Sequence, residues 1–148
     1  EIGSFRYTSE SGLKIHFLHS KSKQDNAIPL VMTHGWPGSI QEFIKIIPII
    51  QKNSNIPLDI ICPSLPGFGF SDKPKDLGMN SKEIAKIQHE LMMALGYKKY
   101  VVQGGDWGAT VSKWMAELFP ENCIGIHLNL VIAFPPNTEN PMEGVTDE

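Results

Sequence analysis

The residues most able to do chemistry form one short stretch, Gly104-Gly105-Asp106-Trp107-Gly108-Ala109. It follows an apolar run, Tyr100-Val101-Val102-Gln103, and opens a helical pattern from Ala109 to Leu118. A sharp strand-to-helix turn needs small residues around its apex. Gly104 lies two positions before Asp106, and Gly108 and Ala109 lie two and three after it. That is the spacing of a nucleophile elbow, with an acid where a serine is more usual. A carboxylate is already ionised at neutral pH, so it can attack an electrophilic carbon without a base to activate it. An aspartate beside glycines is otherwise an ordinary turn residue. The flanking strand and helix are what raise Asp106 to a candidate nucleophile.

A second motif, His34-Gly35-Trp36-Pro37-Gly38-Ser39, directly follows the apolar strand Leu30-Thr33. Loops at the C-terminal ends of parallel strands gather on one face, which brings this loop towards the elbow. The backbone N–H of Trp36, with that of Trp107 at a helix start, would make two donors for a developing oxyanion. Trp36-Pro37 is a candidate cis bond. His34 reads as a structural hydrogen-bonding residue rather than a base. A third motif, Gly67-Phe68-Gly69-Phe70-Ser71, places glycines at alternate positions, where unusual dihedrals are allowed. Gly67 and Gly69 are expected to support the site rather than act in it.

These motifs need a scaffold. Phe5–Thr8 and Lys14–Leu18 read as a leading hairpin. Strands follow at Leu30–Thr33, Leu58–Cys62, Tyr100–Gln103 and Ile124–Val131. Between them lie a helical pattern from Ile40, which Pro48 should kink or end, and a helix from Ser81, its expected N-cap, to a stop at Gly96. Strands alternating with helices predict a mostly parallel sheet with helices on both faces, an α/β protein. The last strand should be an exposed edge without a protecting bulge. Both cysteines, Cys62 and Cys123, are expected to be buried free thiols. His89 is placed on the solvent side of its helix and His127 in the core.

Taken together, the motifs resemble the epoxide hydrolases of the α/β-hydrolase superfamily, and within them the microsomal branch that includes the juvenile hormone epoxide hydrolases. The likeness rests on His34-Gly35-Trp36-Pro37-Gly38-Ser39, Cys62-Pro63-Ser64, Pro66-Gly67-Phe68-Gly69-Phe70-Ser71, Gln103-Gly104-Gly105-Asp106-Trp107-Gly108 and His127-Leu128-Asn129. It runs from about Lys14 to Val131. Gly105 favours the microsomal branch, since soluble-type relatives and haloalkane dehalogenases often carry histidine there. The resemblance implies the N-terminal half of an α/β-hydrolase fold and Asp106 as nucleophile, forming a hydroxyalkyl ester with an epoxide. It implies the N–H groups of Trp36 and Trp107 as oxyanion donors. His34, Gly35, Pro37, Gly104, Gly105 and Gly108 would shape the site. Small-molecule epoxide and water are the implied partners, with no cofactor and no metal.

The family's lid tyrosines and its histidine–acid pair lie beyond the sixth strand, and no histidine here follows a late strand. Residues 1–148 are therefore expected to be one partial core domain without lid or C-terminal half, incapable of turnover alone. A haloalkane dehalogenase is the nearest alternative, weakened by Trp36 standing where such enzymes place a halide donor. A non-catalytic truncated product is another. The formal net charge of −3 gives no reason to expect nucleic acid. No apolar run approaches the roughly 20 residues that span a bilayer. Membrane association would run through a segment absent here, so the location reads as cytoplasmic or microsomal. The start at Glu1 without methionine and the polar tail Asn137–Glu148 read as cut ends.

Overall fold

The computed structural model describes residues 1–131. The tail Asn137–Glu148 lies outside the described residues. Six strands form one sheet: β1 (Ile2–Thr8), β2 (Lys14–Ser20), β3 (Ile28–Thr33), β4 (Leu58–Pro63), β5 (Tyr100–Gly104) and β6 (Cys123–Leu128). Four helices accompany them: α1 (Gln41–Ile44), α2 (Ile46–Asn53), α3 (Ser81–Ala94) and α4 (Trp107–Leu118). The strand order is β1-β2-β4-β3-β5-β6. The leading pair is antiparallel, and β2 joins β4 antiparallel. The strands β4, β3, β5 and β6 then run parallel.

Period-two alternation sends neighbouring residues to opposite faces. Phe17, Val31, Ile61 and Val102 join Leu91, Met92, Val111 and Met115 under α3 and α4. Their neighbours Leu18, Met32, Ile60 and Cys62 pack with Ile40, Phe43 and Ile47 under α1 and α2. These two buried layers supply the main stabilisation, at about 25 cal/mol per Å² of apolar surface removed from water.

Several local expectations need correction. The break in the helical region from Ile40 falls at Lys45, so α2 restarts at Ile46 and Pro48 sits in its first turn. A first-turn residue has no intrahelical carbonyl for its N–H, so proline is accommodated there. The N-cap of α3 is Asn80, not Ser81: its side chain accepts from the N–H groups of Lys82 and Glu83. Ser81 Oγ instead pairs with Thr110 Oγ1 at 2.8 Å, tying α3 to α4. Gly96 does end the α3 region, with φ +86°. The edge strand β6 stops at Leu128 and carries an irregularity: Tyr100 pairs with Cys123 but Val101 with Gly125, leaving Ile124 as an extra residue. Both cysteines are free. Cys62 is buried, while Cys123 is only half-buried.

Candidate active site

The elbow forms where β5 passes into α4. Asp106 takes φ 52° and ψ −129°, one of two non-glycine residues with positive φ among the described residues. It stands at the N-cap of α4, where an aspartate normally turns its carboxylate onto the N–H groups of the first turn. Here it makes no such bond. The left-handed backbone swings the side chain off the helix, and its Oδ1 instead accepts from the Trp36 N–H at 2.7 Å. Such a conformation costs of order 1–3 kcal/mol and persists only when the surroundings enforce it.

The enforcement comes from backbone-to-backbone packing. A Cβ at Gly104 would fall on the Gly108 carbonyl, and one at Gly108 on the Thr33 carbonyl. The end of β5, the first turn of α4 and the end of β3 are thus pressed together with no side chain between them. Trp107 is the first residue of α4, so its N–H has no helical carbonyl to meet.

The loop after β3 reaches the same spot. Gly35 is buried, and a Cβ there would overlap the Asp106 carboxyl group. Trp36-Pro37 is cis. Trp36 and Trp107 are 65% and 56% exposed. His34 is buried beneath the loop, its Nδ1 3.0 Å from the Gly35 carbonyl and its Nε2 accepting from the Leu65 N–H at 3.0 Å. Burial lowers its pKa, against a smaller opposing effect from the Gly35 carbonyl. Gly67 and Gly69 both have positive φ in the loop after β4.

Three contributors were given no role by sequence reasoning, although Asn129 belongs to the His127-Leu128-Asn129 motif. Glu42, on α1, lies against Gly38. Desolvation raises its pKa above the usual carboxylate range and the charge of Asp106 adds to the rise, while the Gly35 backbone works against it. The Asn129 side chain fills the space over Gly105, and its backbone N–H donates to the Gly104 carbonyl at 3.3 Å. Asn129 Oδ1 also accepts from Gln103 Nε2 at 3.3 Å. Leu65 enters through its backbone alone, which no side-chain motif announces. Helical spacing could have flagged only Glu42, one turn from Gly38.

Among the described residues none of the other histidines is hydrogen-bonded to Asp106. His89 is not on a solvent face: its Nδ1 bonds the Tyr100 hydroxyl at 2.8 Å and its ring stacks on Phe119. His127 is exposed rather than in the core, because β6 has no strand beyond it among the described residues. Among the described residues no three metal-ligating side chains cluster, and no helix is long and apolar enough to cross a membrane.

The chain is similar in sequence and fold to known proteins. The α/β-hydrolase fold family matches residues 28–144, and an epoxide hydrolase N-terminal family matches residues 1–43. Juvenile hormone epoxide hydrolase 2 of Ctenocephalides felis is 46% identical over 129 residues, which is 83% of this chain and 28% of that protein. Epoxide hydrolase 1 of Sus scrofa is 43% identical over 135 residues, 84% of this chain and 30% of its own length. The crystal structure of juvenile hormone epoxide hydrolase from Bombyx mori superposes with a TM-score of 0.80 at 45% identity, covering 86% of this chain and 35% of that one. The chain thus spans about 30% of the curated relatives it matches. With the sheet order and elbow in place and the family match covering most of its length, the chain belongs to the α/β-hydrolase fold family.

Proposed function

We propose that the protein carrying this chain is an epoxide hydrolase that converts an epoxide and water to a vicinal diol, with Asp106 as nucleophile. One observation carries the reading: the Asp106 carboxylate is withheld from capping α4 and held by the Trp36 N–H through one oxygen. The other oxygen, Oδ2, has no donor among the described residues and is free to attack. It forms a bond to an epoxide carbon while the carbon–oxygen bond of the ring breaks, and the ring oxygen leaves as an alkoxide that takes up a proton. The product is a hydroxyalkyl ester on Asp106.

Water then attacks the ester carbonyl carbon. Charge develops on the oxygen already facing Trp36, where the N–H groups of Trp36 and Trp107 would stabilise it. Collapse returns the carboxylate and releases the diol. Both ring nitrogens of His34 are engaged, so it offers no lone pair to that water. The proton donor for the ring oxygen and the base for the water are therefore expected from other parts of the whole protein. No step calls for a cofactor.

The test uses the complete protein with an aryl epoxide and a haloalkane side by side. Diol formation, with an Asp106 ester trapped by rapid quench and mass spectrometry, is the expected result. Replacing Asp106 by Asn should lower turnover by about 10⁴-fold or more. Halide release without diol would overturn the epoxide reading, and near-normal turnover in Asp106→Asn would remove Asp106 from its role.

A further inference from the structure

The hydrogen bonds of His34 determine its state. A backbone N–H can only donate, so the 3.0 Å contact from Leu65 N requires a bare lone pair on Nε2. A carbonyl oxygen can only accept, so the 3.0 Å contact with the Gly35 carbonyl requires a proton on Nδ1. Only the neutral Nδ1–H tautomer satisfies both. The ring is 1% exposed and is met edge-on by Phe68 at 5.4 Å, so it has little freedom to turn.

The Gly35 carbonyl and the Trp36 N–H are the two ends of a single peptide unit. That unit is planar, so holding its oxygen aims its hydrogen. The hydrogen points at Asp106 Oδ1, which lies 2.7 Å from the Trp36 nitrogen. One directional series results: Leu65 N–H to Nε2, Nδ1–H to the Gly35 oxygen, and Trp36 N–H to Asp106. Every donor faces the same way, so each bond polarises the next.

We propose that His34 is a positioning residue for the oxyanion donor: its Nδ1–H fixes and polarises the Gly35–Trp36 peptide, and thereby speeds breakdown of the Asp106 ester. The inference rests on the epoxide hydrolase reading above. It goes beyond a packing role, because a packed histidine needs neither this tautomer nor this bond to an oxygen of the donor peptide.

Two variants of the complete protein separate the two nitrogens. In His34→Asn the amide nitrogen takes the place of Nδ1 and can still donate to Gly35, while the acceptor for Leu65 is lost. In His34→Gln the amide oxygen takes the place of Nε2 and still accepts from Leu65, while the donor to Gly35 is lost. Each loses one bond, so a purely structural role predicts similar losses that follow the melting temperature. The proposal predicts asymmetry in single-turnover kinetics with an aryl epoxide. His34→Gln should hydrolyse the ester about 10- to 100-fold more slowly, the usual range for a residue acting through another. It should form the ester at nearly the normal rate, so that the ester accumulates. His34→Asn should slow hydrolysis by less than about tenfold, below that range. Wild-type ester breakdown in His34→Gln, or equal losses tracking stability, would overturn the proposal while leaving the wild-type ester, and so the enzymatic reading, intact. If the wild-type protein forms no ester on Asp106, the enzymatic reading falls, and the proposal with it.

Discussion

Two aspartates sit at opposite ends of the parallel sheet and are treated in opposite ways. Asp59, near the start of β4, has both oxygens committed: the Ser22 N–H reaches one at 2.8 Å and the Tyr97 hydroxyl the other at 2.6 Å. Because that hydroxyl proton points at Asp59, the His19 Nε2 at 3.1 Å must be the donor to the Tyr97 oxygen. Asp106, after the end of β5, has one oxygen committed and one open. A saturated carboxylate ties strands and loops together. A half-satisfied and exposed one is, on the proposed reading, a reagent, and its single partner would determine which oxygen is left to react. What separates the two is backbone: Asp106 has positive φ and Asp59 lies within a regular strand.

The sharpest way to break this comparison is to crowd the reactive end. Gly35→Ala should push the Asp106 carboxyl group away from the Trp36 N–H. Turnover of the complete protein should fall by about 10²-fold, the cost of misplacing a reacting group by an ångström. The fold should lose about 1–3 kcal/mol, as for other overpacked sites. Near-normal diol formation in a folded Gly35→Ala protein would mean that the Trp36 contact does not govern the chemistry.

A smaller effect is expected at the structural end. Tyr97→Phe strips the donor from Asp59 and the partner from His19. It should lower stability by about 1 kcal/mol, the usual net worth of a hydrogen bond, measured by urea unfolding. Turnover should not change. A loss of turnover larger than the loss of folded protein would couple the two ends of the sheet and sink the division of labour drawn between them.

The mildest test is pH, which acts at both ends. Burial is the largest cause of a lowered pKa at His16, His19, His34 and His89, each starting from an ordinary value of 6.5. Where the folded pKa lies below the unfolded one, the unfolded chain binds more protons in acid. The contribution of these histidines is therefore complete above about pH 6.5 and declines as the pH falls towards the folded values. Urea midpoints should be lower at pH 5.5 than at pH 7.5, and His34→Asn should reduce that difference. A midpoint that rises on acidification would contradict the burial of these rings.

Much of this was legible in the chain because its strongest signals are local. Strand, glycine-flanked aspartate and helix follow one another without interruption, so the elbow is written in consecutive residues. The alternation of strands and helices likewise announces a parallel sheet. The less legible parts depend on partners far apart in the chain. His89 looks solvent-facing by helical position, yet Tyr100 and Phe119 close over it from β5 and the end of α4. His127 looks internal by its place in an apolar strand, but core or surface depends on what lies beside that strand. Asn80 outcompetes Ser81 by a single position, a choice that cap geometry makes and spacing does not. Glu42 and Asn129 join the site through the space that Gly38 and Gly105 leave open, and a missing side chain does not identify its occupant.

The pressing of Gly108 against the Thr33 carbonyl has a consequence for how such a protein can change. The proposed nucleophile and its donor stand on two segments that touch backbone to backbone, with no side chain at the seam for mutation to resize. Their spacing therefore cannot be tuned by resizing a side chain at that seam. A change of substrate preference would have to come from the walls above this floor, where side chains can be exchanged without parting the two backbones.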